Sequence, residues 1–390
     1  MSAPAPVPGC DDDRLARVAL SYLTEPGNVR VNALAAEIGS VTLLEHLEEK
    51  LGPDSLDTRS RQGALRPERA LAAAAKLGLR FVVPGDDEWP PALDDLARAD
   101  HLHERGGVPL GLWVRGPARL DDLCSGPSVS VVGSRSATTY GTDQAAGLAH
   151  GAAAAGCAVV SGAAFGIDQA AHRGALSARG RTVAVLACGA DRVYPQAHAD
   201  LIGHLAAEHA VVSESPPGFS PTRIRFLSRN RLIAGLTRGT VVVEAAYRSG
   251  ALNTANWAGR LGRPLMAVPG PVTSSLSAGA HELVRTGQAV LVTRPEHVLE
   301  VIGAAGEHLV EEPRDPDRPR DLLTPRQRQV LDAVPVVRAA AADSIARTAG
   351  IRITDVRGAL DRLETAGLVE RCGSAWRLAA RSAQQEVLSS

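Results

Sequence analysis

Lysine is almost missing from this 390-residue chain: Lys50 and Lys76 are the only two among 42 basic residues. With so many alanines, this arginine excess fits the codon usage of a GC-rich genome as readily as any chemical purpose. Cysteine is scarce and unpatterned. Cys10, Cys124, Cys157, Cys188 and Cys372 are odd in number and never form a Cys-x-x-Cys pair, which excludes a disulfide framework and a cysteine zinc site and fits a reducing cytoplasm. No run approaches the roughly 18 uninterrupted apolar residues of a membrane span, and the Pro-rich start has no signal-peptide core. The sequence thus predicts a cytoplasmic protein that is neither secreted nor membrane-bound. A large net charge is lacking as well. The 42 basic and 43 acidic residues leave −1, which excludes a globally basic, histone-like binder.

What is present is enough apolar residue, 45%, for one sizeable core and for two or three domains. Charge is unevenly placed along the chain: residues 1–127 carry a net −6 and residues 128–303 a net +5. Residues 1–107 read as a small helical, SAM-like N-terminal domain with a connector, including a helix near Pro67–Leu77 and a short strand at Leu79–Val83. From residue 108 to 303, short β-rich runs alternate with Ala-rich helical stretches, the signature of a parallel sheet covered by helices. Seven strands are expected, at Val129–Val132, Ala158–Ser161, Thr182–Ala187, Ala210–Ser213, Thr240–Glu244, Leu265–Val268 and Ala289–Val292. Residues 304–320, rich in Glu, Asp and Pro, read as a linker. Three helices (Arg326–Val334, Asp343–Ala349 and Thr354–Ala366) and a hairpin around Gly373-Ser374 then give the order of a winged helix over 321–379, ahead of a tail at 380–390. The fold class is α/β: an extended Rossmann-like, doubly wound, mostly parallel sheet with these two flanking domains.

Such a sheet binds ligands at the carboxyl ends of its strands, so the residues just past each strand matter most. The first strand delivers Gly133-Ser134-Arg135. It serves either as an anion site at a helix N-terminus or as an ordinary turn with a surface arginine. The second and third glycines of a dinucleotide fingerprint are missing. The second strand ends in Ser161-Gly162, then Phe165-Gly166 and Asp168, with His172 one turn on. Asp168 and His172 read either as a catalytic dyad or, since no nucleophile or third ligand stands nearby, as a helix cap that holds His172 in a structural hydrogen bond, and Phe165 is placed either to stack on a base or to pack in the core. Between the fourth and fifth strands, Pro221–Arg238 holds Arg223, Arg225, Arg229, Arg231 and Arg238 without one acidic residue, enough to attract a polyanion, with Asn230 among them. Glu214 and Glu244 follow the fourth and fifth strands, where each can hold a loop or arginine or act as a catalytic carboxylate.

Taken in order, Gly133-Ser134-Arg135 with Tyr140-Gly141, Ser161-Gly162 with Gly166-Ile167-Asp168 and His172, Tyr194-Pro195, Ser213-Glu214, Arg229-Asn230-Arg231, Glu244 with Ser249-Gly250 and Thr254-Ala255, and Val268-Pro269-Gly270 resemble the DNA-processing protein A family (DprA, also called Smf). The likeness runs over roughly residues 85–300. It implies a Rossmann-like domain that binds single-stranded DNA without cutting it, forms a homodimer, needs no cofactor or metal, and helps RecA displace single-strand-binding protein during natural transformation. Carried over by motif, Arg135 is the main phosphate contact, with Gly133, Ser134, Ser161, Gly162 and Gly166 shaping the pocket and Asn230 and Arg231 beside it. Phe165, Arg225 and Arg229 complete the expected DNA-binding set. Some members have a basic residue where this chain has Phe165, and Asn253 and the Ser277–His281 segment also depart from the pattern. The rival from another class is a nucleotide-processing enzyme of phosphoribohydrolase type, although the Pro-Gly-Gly loop with its helix-borne glutamate is absent. A transcription factor rests on the winged helix alone, whose third helix has a net charge of −1.

Overall fold

The computed structural model describes residues 12–50, 64, 66–310 and 319–379. The expected tail and residues 311–318 of the expected linker lie outside the described residues. The chain divides after Val310 into two units.

Valine-rich runs build a nine-stranded sheet in the first unit: β1 (Leu79–Val82), β2 (Leu112–Arg115), β3 (Ser128–Val132), β4 (Ala158–Ser161), β5 (Thr182–Leu186), β6 (Ala210–Ser213), β7 (Gly239–Val242), β8 (Leu265–Ala267) and β9 (Val290–Leu291). Their order across the sheet is β1-β2-β6-β5-β4-β3-β7-β8-β9. From β6 to β9 every neighbouring pair is parallel, and all seven expected strands form there. β3 to β8 are buried at every position because both faces are covered. In β3, Val129 and Val131 pack toward the Thr139–Ala154 and Ile167–Ser177 helices. Val132 faces the opposite layer, where it joins Leu232, Ile233 and Trp257 of the Arg223–Gly235 and Gly250–Arg260 helices. The chain runs outward from β3 through β4, β5 and β6, then returns to the other side of β3 with β7. This reversal is the topological switch point, and it opens a crevice beyond the carboxyl ends of β3, β4 and β7.

The boundary expected near residue 107 falls inside the sheet. β2 pairs antiparallel with β6 and β1 pairs antiparallel with β2, so residues 79–115 extend the same sheet. Leu112–Arg115 was legible only as the end of a connector because Pro109, Gly111, Gly116 and Pro117 crowd it. These residues bound a four-residue strand, whose Trp113 is fully buried between Phe81 and Tyr22. Among the described residues, the helices Asp12–Leu23, Val29–Ile38, Ser40–Lys50 and Pro67–Lys76 precede β1, and Asn28 caps the second through the Arg30 and Val31 amides.

In the second unit, the three expected helices are Pro325–Asp332, Ala342–Ala349 and Ile353–Thr365. The first begins with a capping box between Thr324 and Gln327. The expected hairpin forms from β11 (Val369–Cys372) and β12 (Ala375–Leu378), and a two-residue strand, β10 (Ala340–Ala341), adds to its edge. Val330, Ile345, Leu360, Leu363 and Trp376 close the core.

Candidate functional site

The crevice at the switch point is a pocket of about 650 Å³. Its walls come from the segment after β3 (Gly133, Ser134, Arg135, Ser136), from Ala164 and Asp168 after β4, from the Arg223–Gly235 helix, and from Ala246 to Thr254 after β7. Four arginines line it, Arg135, Arg223, Arg229 and Arg248, against one carboxylate, Asp168. One helix N-terminus also opens there: Ser249 caps Gly250–Arg260 through the Ala251 amide, and Ser249, Gly250 and Ala251 line the pocket. A positive helix end and excess arginine suit this pocket to an anion.

Arg229 is the most unusual of the four. It is only 6% exposed, and its Nε and Nη1 are buried without a hydrogen-bond partner. Burial pulls its pKa down against the opposing attraction of Asp168, and Arg135 adds repulsion. Asp168, fully buried, has its own pKa raised by desolvation, while Arg229 and the amides of Ala164 and Gly162 pull the other way. Its Oδ2 accepts from the Gly162 and Ala164 N–H groups, so it fixes the loop after β4. Leaving buried guanidinium donors unsatisfied is costly. Gly162 permits this arrangement: a Cβ there would lie 1.4 Å from Arg229 Nη1. Gly166 has φ +72°, and a Cβ on it would meet the Ser134 carbonyl oxygen at 2.4 Å, so the loops after β3 and β4 touch only because this residue is glycine.

Arg135 is exposed and stacks on Phe226, its Cζ 4.5 Å from the ring centroid. Arg229 approaches the same ring at 5.9 Å and Tyr194 at 5.7 Å. Beside the main pocket, a small niche is lined by Arg135, Gly162, Phe165, Tyr194, Pro195 and Phe226, among others. Phe165 belongs to this niche. It is 46% exposed and set edge-on to His198, which favours the stacking alternative over core packing. Asn230 lines the main pocket while its amide Nδ2 donates to the Gly250 carbonyl and to Asn253 Oδ1.

Several expected contacts lie elsewhere. Arg231 is fully buried on the far side of its helix. Its two Nη groups form a fork on Glu214 at 2.6 Å each, and its Nε donates to the Gly107 carbonyl. Glu214 also accepts the Gly27 N–H. Arg225 pairs with both oxygens of Glu25 at 2.7 and 2.9 Å and stacks on Phe219. Both arginines therefore fasten the helix to the 25–28 loop, where Ser228 Oγ also donates to the Pro26 carbonyl. Ser161 is buried, with its Oγ donating to the Val131 carbonyl between strands. His172 does not bond to Asp168. Its Nδ1 donates to Thr182 Oγ1 at 2.8 Å, since the Thr182 hydroxyl itself donates to the Val159 carbonyl, and burial pushes its pKa down to about 3. Glu244, 2% exposed, accepts from the Thr138 N–H and hydroxyl, which makes it the brace of the anion loop. Sequence reasoning missed Phe226 and Arg248, and counted Arg223 only as part of a charge run. An aromatic at position i+3 from Arg223 and i−3 from Arg229 was the available signal.

The sequence profile of the family described as DNA recombination-mediator protein A matches residues 80–303. A DNA processing protein DprA of Mycobacterium tuberculosis is 44% identical over 370 residues, 94% of each chain. Protein Smf of Escherichia coli K12 is 37% identical over 297 residues, 74% of each chain. Among solved structures, the DNA processing protein A of Streptococcus pneumoniae superimposes with a TM-score of 0.59 at 31% identity, covering 74% of this chain and 97% of that one. Matched over more than half its length by the profile and over nearly all of it by such a relative, the chain belongs to the DNA recombination-mediator protein A family.

Proposed function

We propose that the chain is a recombination mediator that binds single-stranded DNA at the switch-point pocket. The observation that carries this is Arg229, a buried guanidinium with unsatisfied donors in a pocket of four arginines and one carboxylate. A backbone phosphate is drawn to these guanidinium groups, and the aromatic surfaces of Phe226, Phe165 and Tyr194 offer faces on which unpaired bases stack without sequence preference. Gly133, Ser134, Gly162, Gly166 and Asn230 shape the pocket around Arg135 and Arg229.

We propose further that in the cell it acts as a cytoplasmic homodimer without a cofactor, protecting incoming single strands and helping RecA displace single-strand-binding protein in natural transformation. The second unit has the element order of a winged helix, and we assign it to protein contact. A nucleotide-cleaving activity is disfavoured because Glu244 and Glu214 are both committed to structural bonds.

Titrating an oligothymidylate and its duplex at several salt concentrations tests the proposal. Tighter single-strand binding, with log affinity falling as log salt rises, is expected. A slope near zero, equal affinity for duplex, or release of base or phosphate from a nucleotide would overturn it.

A further inference from the structure

The pocket is larger and more varied than a grip on one phosphate needs. At about 650 Å³ it sits within the roughly 300–1,000 Å³ of pockets that enclose a whole small ligand. It also has two unlike ends. Around Arg135, Arg229 and Phe226 it is cationic and aromatic. Where Asn230 reaches the Gly250–Arg260 helix it is uncharged, walled by Val132, Ile233, Ala251 and Thr254.

The uncharged end holds polar atoms without partners in the fold. Asn230 spends Nδ2 on Gly250 and Asn253, and among the described residues its Oδ1 accepts no hydrogen bond. Thr254 is 1% exposed, and its hydroxyl likewise has no bond. A carbonyl acceptor and a hydroxyl in an apolar wall can read the edge of a base, while nearby guanidinium donors hold a phosphate. These are the two halves of a single nucleotide.

We infer that this pocket takes up one complete nucleotide, phosphate toward Arg135 and Arg229 and base toward Asn230 and Thr254, so that a free nucleoside 5′-monophosphate binds there and competes with single-stranded DNA. The inference rests on the assignment of DNA to this pocket. It adds that recognition is stored in one nucleotide unit and does not need a continuous backbone.

The test is competition against a fluorescent oligothymidylate, on the full chain at constant ionic strength, with thymidine monophosphate, thymidine and inorganic phosphate. Direct binding of each competitor is measured by calorimetry. Thymidine monophosphate is expected to bind directly and to displace the oligonucleotide at concentrations at least tenfold below those of phosphate or thymidine. Thr254→Val should narrow that advantage severalfold while leaving displacement by inorganic phosphate unchanged. If the oligonucleotide binds with the expected salt dependence but the monophosphate performs no better than phosphate, the inference fails and the DNA assignment survives. If the monophosphate binds directly yet displaces nothing, DNA lies elsewhere: the nucleotide pocket stands, and competition and the DNA assignment fall. Thr254→Val without effect on the monophosphate would remove the base end from the inference.

Discussion

Replacing Arg135 by alanine separates binding from folding. The side chain is exposed and forms no ion pair or hydrogen bond among the described residues; its one contact of note is the Phe226 ring, 4.5 Å from Cζ. An exposed cation–π contact is worth about 0.5–1 kcal/mol, and in a unit of this size that lowers the melting temperature by only about 1–2 °C. A charge-assisted bond to a phosphate is worth about 1.5–3 kcal/mol, so single-strand affinity should fall about ten- to a hundredfold. The salt slope should drop by about one unit, since one phosphate contact is lost. Arg135→Lys should recover part of the loss, because an ammonium keeps the charge without the fork. Fluorescence anisotropy over a salt series, beside a thermal melt, reads both quantities. A large fall in melting temperature with unchanged affinity on the folded fraction would show that Arg135 braces the Gly133 turn, and the phosphate assignment would be wrong.

Arg231→Ala should do the reverse. It strands Glu214 in a buried site and should cost about 3–5 kcal/mol of stability, read by denaturant melts, with affinity changed less than by Arg135→Ala when measured on folded protein. Gly162→Ala puts a methyl where Arg229 Nη1 sits; the guanidinium must swing away, and anisotropy should show about a tenfold weaker single-strand complex in a folded protein. His172 stays neutral in the fold with a pKa of about 3, below the roughly 6.5 of an unfolded chain. Its contribution to stability is complete above pH 6.5 and is lost as pH falls from 6.5 toward 3, at up to about 1.4 kcal/mol per pH unit. A His172→Gln protein should therefore show a flatter pH dependence in that window, and an unchanged slope would refute the assignment. A chain ending at Val310 should bind single strands within about tenfold of the full chain; a larger loss would assign the second unit to DNA.

Much of this was legible in residue order. Short β-rich runs between Ala-rich helical stretches located the sheet, and the Gly-rich segments after them located the loops at its carboxyl ends, because both follow from local chemistry. Roles within the Arg223–Gly235 helix were not legible, because sequence counts arginines but does not say which face each occupies. Arg229 and Arg231, two residues apart, point to opposite surroundings, and partners of Arg225 and Arg231 include Glu25 and Gly107, more than a hundred residues away, while Gly27 joins through Glu214. The same blindness affected the helix Ile353–Thr365. Its net −1 suggested an acidic surface, yet Asp355 pairs with Arg326, and Asp361 and Glu364 pair with Arg371. β2 was hidden because four residues between glycines and prolines carry too little pattern to be told from a connector.

The clasp between the 25–28 loop and the pocket helix also sets the smallest piece of this protein that can fold. A fragment starting at residue 108 would strip β1 from β2, leaving a new open edge beside Trp113. It would also take from the Glu214–Arg231 pair the Gly27 amide and the Gly107 carbonyl that complete its hydrogen bonding. A buried ion pair lacking those bonds is a liability in place of a fastening. The N-terminal helices and the sheet are thus joined in one unit, and the helix that carries the pocket arginines is fastened by residues that come before any strand has begun.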